Sequence, residues 1–198
     1  MKKFITIEGI DGSGKSTLAK ELHERLCKAG YKVMLTSEPY NECIKECIEV
    51  CLREGCNPIT IAFLFMADRA NHVEEIKRWI KEGYIVICDR YTDSTYAYQG
   101  AQLQELIKKP VKWMKDISER FILMPDRTFL LDIEPEVALS RLKGMRRFVS
   151  FENHLFLKKV RKIYLELAED ERFMILDAKK SVDELVNTCL QDILGEIA

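Results

Sequence analysis

Between Gly9 and Ser16 the chain reads Gly-Ile-Asp-Gly-Ser-Gly-Lys-Ser, with the apolar run Phe4-Ile5-Thr6-Ile7 before it and a helix-forming stretch after it. Gly-x-x-x-x-Gly-Lys-Ser in a strand-to-helix setting is the P-loop pattern. Glycines let successive backbone N–H groups turn inward onto phosphate oxygens with no Cβ in the way. The helix behind the loop aims its positive end at the same anion. The stretch Gly9, Ile10, Asp11, Gly12, Ser13, Gly14, Lys15, Ser16 and Thr17 is therefore the expected nucleoside-triphosphate site. Lys15 can reach the β- and γ-phosphates, and the Ser16 hydroxyl can take a Mg²⁺ position.

The rest of the chain alternates strand and helix. Val33-Met34-Leu35 reads as a short strand that ends at Ser37-Glu38-Pro39-Tyr40, where proline stops the ladder. Tyr84-Ile85-Val86-Ile87-Cys88 is a continuous apolar run of the kind buried in parallel sheets, and it delivers Asp89 and Arg90 at its carboxyl end. Two further runs, Arg127–Ile133 and Phe173–Leu176, complete five strands, the last leaving at Asp177. The expectation is an α/β fold: a P-loop three-layer sandwich with a five-stranded parallel sheet and helices on both faces. A single domain spans 1–198, with an arginine-bearing lid at about 141–151. The right-handed crossover rule sets the P-loop, Glu38, Asp89 and Asp177 along one rim. There Asp89 can hold Mg²⁺ or its water, and the planar fork of Arg90 can face phosphate oxygens.

Helices are expected at Leu18–Ala29, Cys43–Leu52, from Pro58 to about Glu82, Ser94–Gly100, Pro135–Arg141, Glu152–Glu171 and Ser181–Ile197. In the second of these, Cys43, Ile44, Cys47, Ile48, Cys51 and Leu52 form one apolar stripe. The reading is packing thiols rather than a metal site, because no second cysteine knuckle follows Cys56. The 58–82 helix has the core stripe Ala62, Met66, Val73, Ile76 and Ile80. Phe65 and Arg69 stand four apart on its flank, where an aromatic plate and a guanidinium fork could stack and hydrogen-bond a flat base. The competing reading of Arg69 is an edge salt bridge with Asp68. Ala101–Phe121, interrupted by Pro110, reads as mixed helix and loop.

The net charge of −1 disfavours non-specific nucleic-acid binding, which wants a basic surface. No apolar run approaches the ~20 residues that cross a bilayer, and no leader pattern precedes the first strand. The expected setting is cytoplasmic, with no membrane and no nucleic-acid partner.

Together the motifs Glu8–Thr17, Glu38-Pro39, Leu64–Ala70, Asp89–Ser94 and Ala97–Gly100 resemble thymidylate kinases over nearly the whole chain. The resemblance implies transfer of a phosphoryl group from ATP–Mg²⁺ to dTMP, in the supply of dTTP. It implies that Phe65 stacks on thymine, Arg69 bonds its edge, and Asp11 meets the 3′-hydroxyl. Arg90 would meet the acceptor phosphate, and Tyr98 would lie under the sugar, with Thr95 and Gln99 near the base. Glu38, Pro39 and Ser94 complete the dTMP site; Arg141 and Asp177 join the ATP site. A homodimer through the Cys43–Leu52 and 58–82 helices is also implied.

Two departures stand out: Tyr40-Asn41 where the family often has paired glycines, and Val149-Ser150 before Phe151-Glu152 in the lid. Gly12 also occupies a place where some members carry an arginine, so Lys15 is the loop's only positive side chain. The missing catalytic cation is expected from Arg141, Arg146 or Arg147, with Arg147 preferred. Another nucleotide or small-metabolite kinase would share the P-loop without a reason for Phe65, Arg69, Tyr98 and Gln99. A guanine-binding switch would carry Asn-Lys-x-Asp, which is absent.

Overall fold

A computed structural model describes residues 2–142 and 154–195. Five strands, β1 (Phe4–Glu8), β2 (Val33–Ser37), β3 (Ile85–Asp89), β4 (Arg127–Asp132) and β5 (Phe173–Asp177), form one sheet ordered β2-β3-β1-β4-β5. Every pairing is parallel. All five residues of β1 are buried, as a central strand covered on both faces requires. Alternate side chains serve the two layers. Phe4, Val86 and Cys88 pack under the helix α3 (Pro58–Lys81), while Ile5, Ile7, Ile85 and Ile87 pack under α1 (Lys15–Lys28).

The chain builds β2 and β3 on one side of β1, then crosses to β4 and β5 on the other. The carboxyl end of β1 is therefore the switch point where a crevice opens. The P-loop leaves β1 there, and Ile7 and Glu8 stand in register with Asp89 and Leu130.

Helix ends follow their caps. The Asn41 side chain accepts from the backbone N–H groups of Cys43 and Ile44 to start α2 (Glu42–Glu54). Asn57 does the same for α3, with Pro58 at its first position. Pro110, expected as an interruption, instead opens α5 (Pro110–Ser118), and α4 runs past the expected Gly100 to cover Thr92–Leu103. The remaining helices are α6 (Pro135–Leu142), α7 (His154–Leu167) and α8 (Val182–Leu194); the last starts with a reciprocal Ser181–Glu184 capping box.

The cysteine expectation needs correction. Cys43 and Cys47 are exposed and Cys51 and Cys56 half-buried, leaving Ile48 as the buried residue of α2. At about 100° per residue, the inward face of α2 centres between Ile48 and Leu52 rather than on the thiols. In α3 the stripe holds except at its end, where Trp79 is buried and Ile80 half-buried.

Candidate active site

The P-loop needs its glycines for space as well as conformation. Gly12 has φ +82°, and a Cβ there would stand 2.4 Å from the Ala138 carbonyl oxygen of α6. An arginine at this place would push α6 away. At Gly9 (φ +143°) a Cβ would meet the Leu131 carbonyl oxygen at 2.6 Å. Lys15 is buried and donates to the Ile10 carbonyl oxygen at 2.8 Å. Burial, with Arg90 nearby, pulls its ammonium down to about 8, against the opposing pull of Asp11, Asp89 and Glu8.

Ser16 Oγ donates to Asp89 Oδ2 at 2.5 Å, while Asp89 Oδ1 is buried and has no hydrogen-bond partner among the described residues. Arg141 Nη2 donates to the Ala178 carbonyl oxygen at 3.0 Å, and its Nη1 stands 3.5 Å from the Gly12 carbonyl oxygen. These groups open onto a cleft of about 500 Å³ lined by residues 11–18, Arg90, Arg141, Ala178, Lys180, Val182 and Leu185. Asp177 sits at the same rim, but its carboxylate accepts from the Lys179 N–H and does not line the cleft.

A second cavity, about 330 Å³, is lined by Glu38, Pro39, Phe65, Arg69, Ser94, Thr95, Tyr98 and Gln99. Asp11 and Arg90 line both spaces. Lys45, Ile48, Glu49 and Leu52 of α2, with Tyr91, also wall it. The Ile48/Leu52 stripe is visible in the sequence as an apolar face, but periodicity does not show that it faces this cavity.

Arg69 lies deeper than its expected place on the helix flank and is 1% exposed. Its Nη2 donates to Glu38 Oε2 at 2.5 Å and Thr95 Oγ1 at 2.9 Å, while Nε and Nη1 are buried without partners among the described residues. Asp68 does not pair with it. Its carboxylate instead accepts from the N–H groups of Tyr40 and Asn41, both at 2.7 Å. That contact shapes the loop after the cis Glu38–Pro39 peptide, where the paired glycines are missing. Glu38 Oε1 stands 3.1 Å from His72 Nδ1, and His72 Nε2 is 2.8 Å from Thr36 Oγ1. Tyr40 stacks on the His72 ring at 4.3 Å. Glu38 is thus spent on holding Arg69, with His72 and Tyr40 behind it.

Arg90 sits at φ +67°, and its N–H donates to the Ile7 carbonyl oxygen at 3.0 Å. Its Nη2 pairs with Asp11 Oδ1, and Nη1 reaches Ser94 Oγ at 3.3 Å. Tyr98 OH accepts from the Asp11 N–H at 2.9 Å and donates to Asp11 Oδ2 at 3.1 Å. Burial works to raise the Asp11 carboxyl, but Arg90 and Lys15 overcome it and hold the group below its ordinary value.

Under this corner lies Glu8, a residue with no role in the sequence reading. It accepts from Tyr91 N at 2.8 Å, Ser94 Oγ at 2.6 Å and Tyr164 OH at 3.0 Å. Burial, with Asp93 close by, lifts its carboxyl to about 7. Tyr164 arrives from α7, with no local signal linking it to Glu8. Arg146 and Arg147 lie outside the described residues.

Residues 7–189 match the family model described as thymidylate kinase. A "Probable thymidylate kinase" of Methanosarcina acetivorans is 40% identical over 97% of this chain and 95% of its own length. One from Sulfurisphaera tokodaii is 41% identical over 98% and 96%; one from Methanococcoides burtonii is 39% identical over 98% of both chains. A P-loop cleft joined to a cavity headed by a buried arginine, in a chain matched over nearly its whole length by such relatives, leads to one conclusion: this protein belongs to the thymidylate kinase family.

Proposed function

We propose that the chain transfers the γ-phosphoryl group of ATP to dTMP, giving ADP and dTDP for the supply of dTTP. The observation that carries this reading is the common wall of Asp11 and Arg90 between the P-loop cleft and the cavity headed by Arg69. A donor in one space and an acceptor monophosphate in the other meet at that wall, which is what an in-line transfer requires.

The base end supports a thymine. Arg69 keeps two buried donors, Nε and Nη1, at the cavity, and the O4 of thymine is an acceptor. Cytosine would present an amino group there and leave the guanidinium unsatisfied. Phe65, Pro39, Ile48 and Leu52 supply the apolar walls, Thr95 and Gln99 flank the base, and Tyr98 lies under the sugar beside Asp11. Ser94 steadies Arg90 over the acceptor phosphate. Lys15 and the loop N–H groups from Gly9 to Thr17 hold the donor phosphates, and Arg141 covers the far side of that cleft.

Mg²⁺ fits the pair Ser16 and Asp89, because the buried Oδ1 of Asp89 is otherwise unsatisfied. When bound, the ion neutralises charge on the β- and γ-phosphates. Arg146 and Arg147 remain candidates for the lid cation. A homodimer through α2 and α3 would cover Val50 and Phe63, which are 44% and 47% exposed. Seven free cysteines fit a reducing, cytoplasmic setting, and no described helix is long and apolar enough to cross a membrane.

The test is ADP release from ATP–Mg²⁺ against dTMP, dUMP, dCMP, dGMP, UMP and AMP. Strong turnover of dTMP with weak dCMP is expected; preference for a purine or cytosine nucleotide overturns the reading.

A further inference from the structure

The end of α2 carries two thiols that phosphoryl transfer does not use. Gly55 adopts the left-handed conformation (φ 70°, ψ 39°), and both its N–H and that of Cys56 point back to the Cys51 carbonyl oxygen, the latter at 2.9 Å. This helix stop characteristically presses the side chains at its two ends together in an apolar contact. Here both side chains are thiols. Cys51 and Cys56 are half-buried, and the bond from the Cys56 N–H to the Cys51 carbonyl oxygen brings their backbones together. Cys56 is the largest influence raising the Cys51 thiol above its ordinary value, which marks the two thiols as neighbours.

The position matters because the same helix turn carries Leu52, and the preceding turn Ile48, into the wall of the cavity headed by Arg69. Immediately beyond Cys56, Asn57 caps α3, which carries Phe65 and Arg69. A covalent link across the α2–α3 corner would tie two walls of one cavity.

We propose that Cys51 and Cys56 form a redox site for low-molecular-weight disulfides, closing reversibly to an intramolecular disulfide that alters the acceptor cavity. One thiol of the pair, losing its proton, attacks one sulfur of the small disulfide, forming a mixed disulfide and expelling one thiolate. The other thiol, losing its proton, then attacks the protein sulfur of that mixed disulfide and expels the second thiolate. Two protein thiols are oxidised, one small disulfide is reduced to two thiols, and the two released protons go to those thiols or to solvent. The linkage itself does not depend on which nucleotide the cavity accepts.

The full-length protein is incubated in glutathione buffers of rising oxidised fraction, quenched by acid and alkylation, and mapped by peptide mass spectrometry. A Cys51–Cys56 linked peptide, reversed by dithiothreitol, is expected in the wild type and in Cys27→Ser and Cys43→Ser. It is expected to vanish in Cys51→Ser, which should instead hold glutathione at Cys56. Separately alkylated Cys51 and Cys56 under oxidising buffer, or linkage only between chains, overturns the site. The oxidised protein should show a KM for dTMP shifted at least about twofold while the Cys51→Ser/Cys56→Ser double variant is indifferent to the buffer, and a linked pair with unmoved KM overturns the coupling to the cavity. If dTMP proves not to be the acceptor, the mapping still decides the linkage, and the KM is read with the preferred monophosphate.

Discussion

Arg90 and Asp11 are ion-paired on the wall that the two clefts share. The pair comes from opposite ends of the motif set, Asp11 from the P-loop and Arg90 from the exit of β3. The positive φ of Arg90 turns its guanidinium back over the loop. Its Nη1 also reaches Ser94, so the cation is tethered on both sides before any phosphate arrives. A charged group held in place before the reaction needs little reorganisation when negative charge develops beside it.

Phe65→Ala should raise the KM for dTMP about tenfold or more and leave the KM for ATP within about twofold, since it removes one face of the base site alone. Arg69→Ala should do the same and also destabilise the protein by about 3–5 kcal/mol, because Glu38 is left buried without its partner. Steady-state kinetics with each substrate varied, alongside thermal unfolding, separates these effects. Equal rises in both KM values would sink the assignment.

Tyr98→Ala should narrow the preference for dUMP over UMP even as total activity falls. The ring now lies against Arg90 and its hydroxyl is bonded to Asp11, so the space beneath the sugar is filled. Competition assays with the two uridylates give the ratio; an unchanged ratio places ribose discrimination elsewhere.

Glu8 should give stability a pH dependence of unusual sign. Its folded carboxyl, lifted to about 7, keeps a proton that the unfolded chain has already lost above 4.5. Between those values the folded state binds more protons, so this contribution to stability falls as pH rises. Glu8→Gln should flatten the decline of Tm between about pH 5 and 8. Parallel Tm curves for the two proteins would count against it.

Lys15 should take up a proton when ATP binds. At pH 8 about half of a population with its ammonium at about 8 is neutral, and triphosphate favours the charged form. Calorimetry in buffers of different ionisation enthalpy should report roughly half a proton taken up per site at pH 8 and almost none at pH 6.5. Lys15→Met should abolish the difference.

Among Arg141→Ala, Arg146→Ala and Arg147→Ala, at least one should lower kcat by about 10³-fold with dTMP binding nearly intact, the scale of a removed arginine finger. Arg141 is already bonded to the Gly12 and Ala178 carbonyl oxygens, so its loss should also weaken ATP. Retention of most kcat by all three would remove the lid region as the cation source.

The parallel sheet, the P-loop and the rim where Asp89 and Arg90 emerge were legible in the linear chain. These rest on local chemistry: apolar runs of strand length, glycines where a Cβ has no room, and proline and asparagine at helix starts. It also marked Phe65 and Arg69 as misplaced for a simple core stripe. What each marked residue touches depends on the packed chain. Arg69 could have paired with Asp68 one residue away; it pairs with Glu38, thirty-one residues back, because the loop N–H groups of Tyr40 and Asn41 claim Asp68 first. The apolar face of α2 could have met a core; it walls the acceptor cavity and leaves its thiols at the edge. Glu8 and Tyr164 meet across 156 residues. Periodicity reports which face of an element avoids water, and only the packed chain supplies the partner that face or charge will meet.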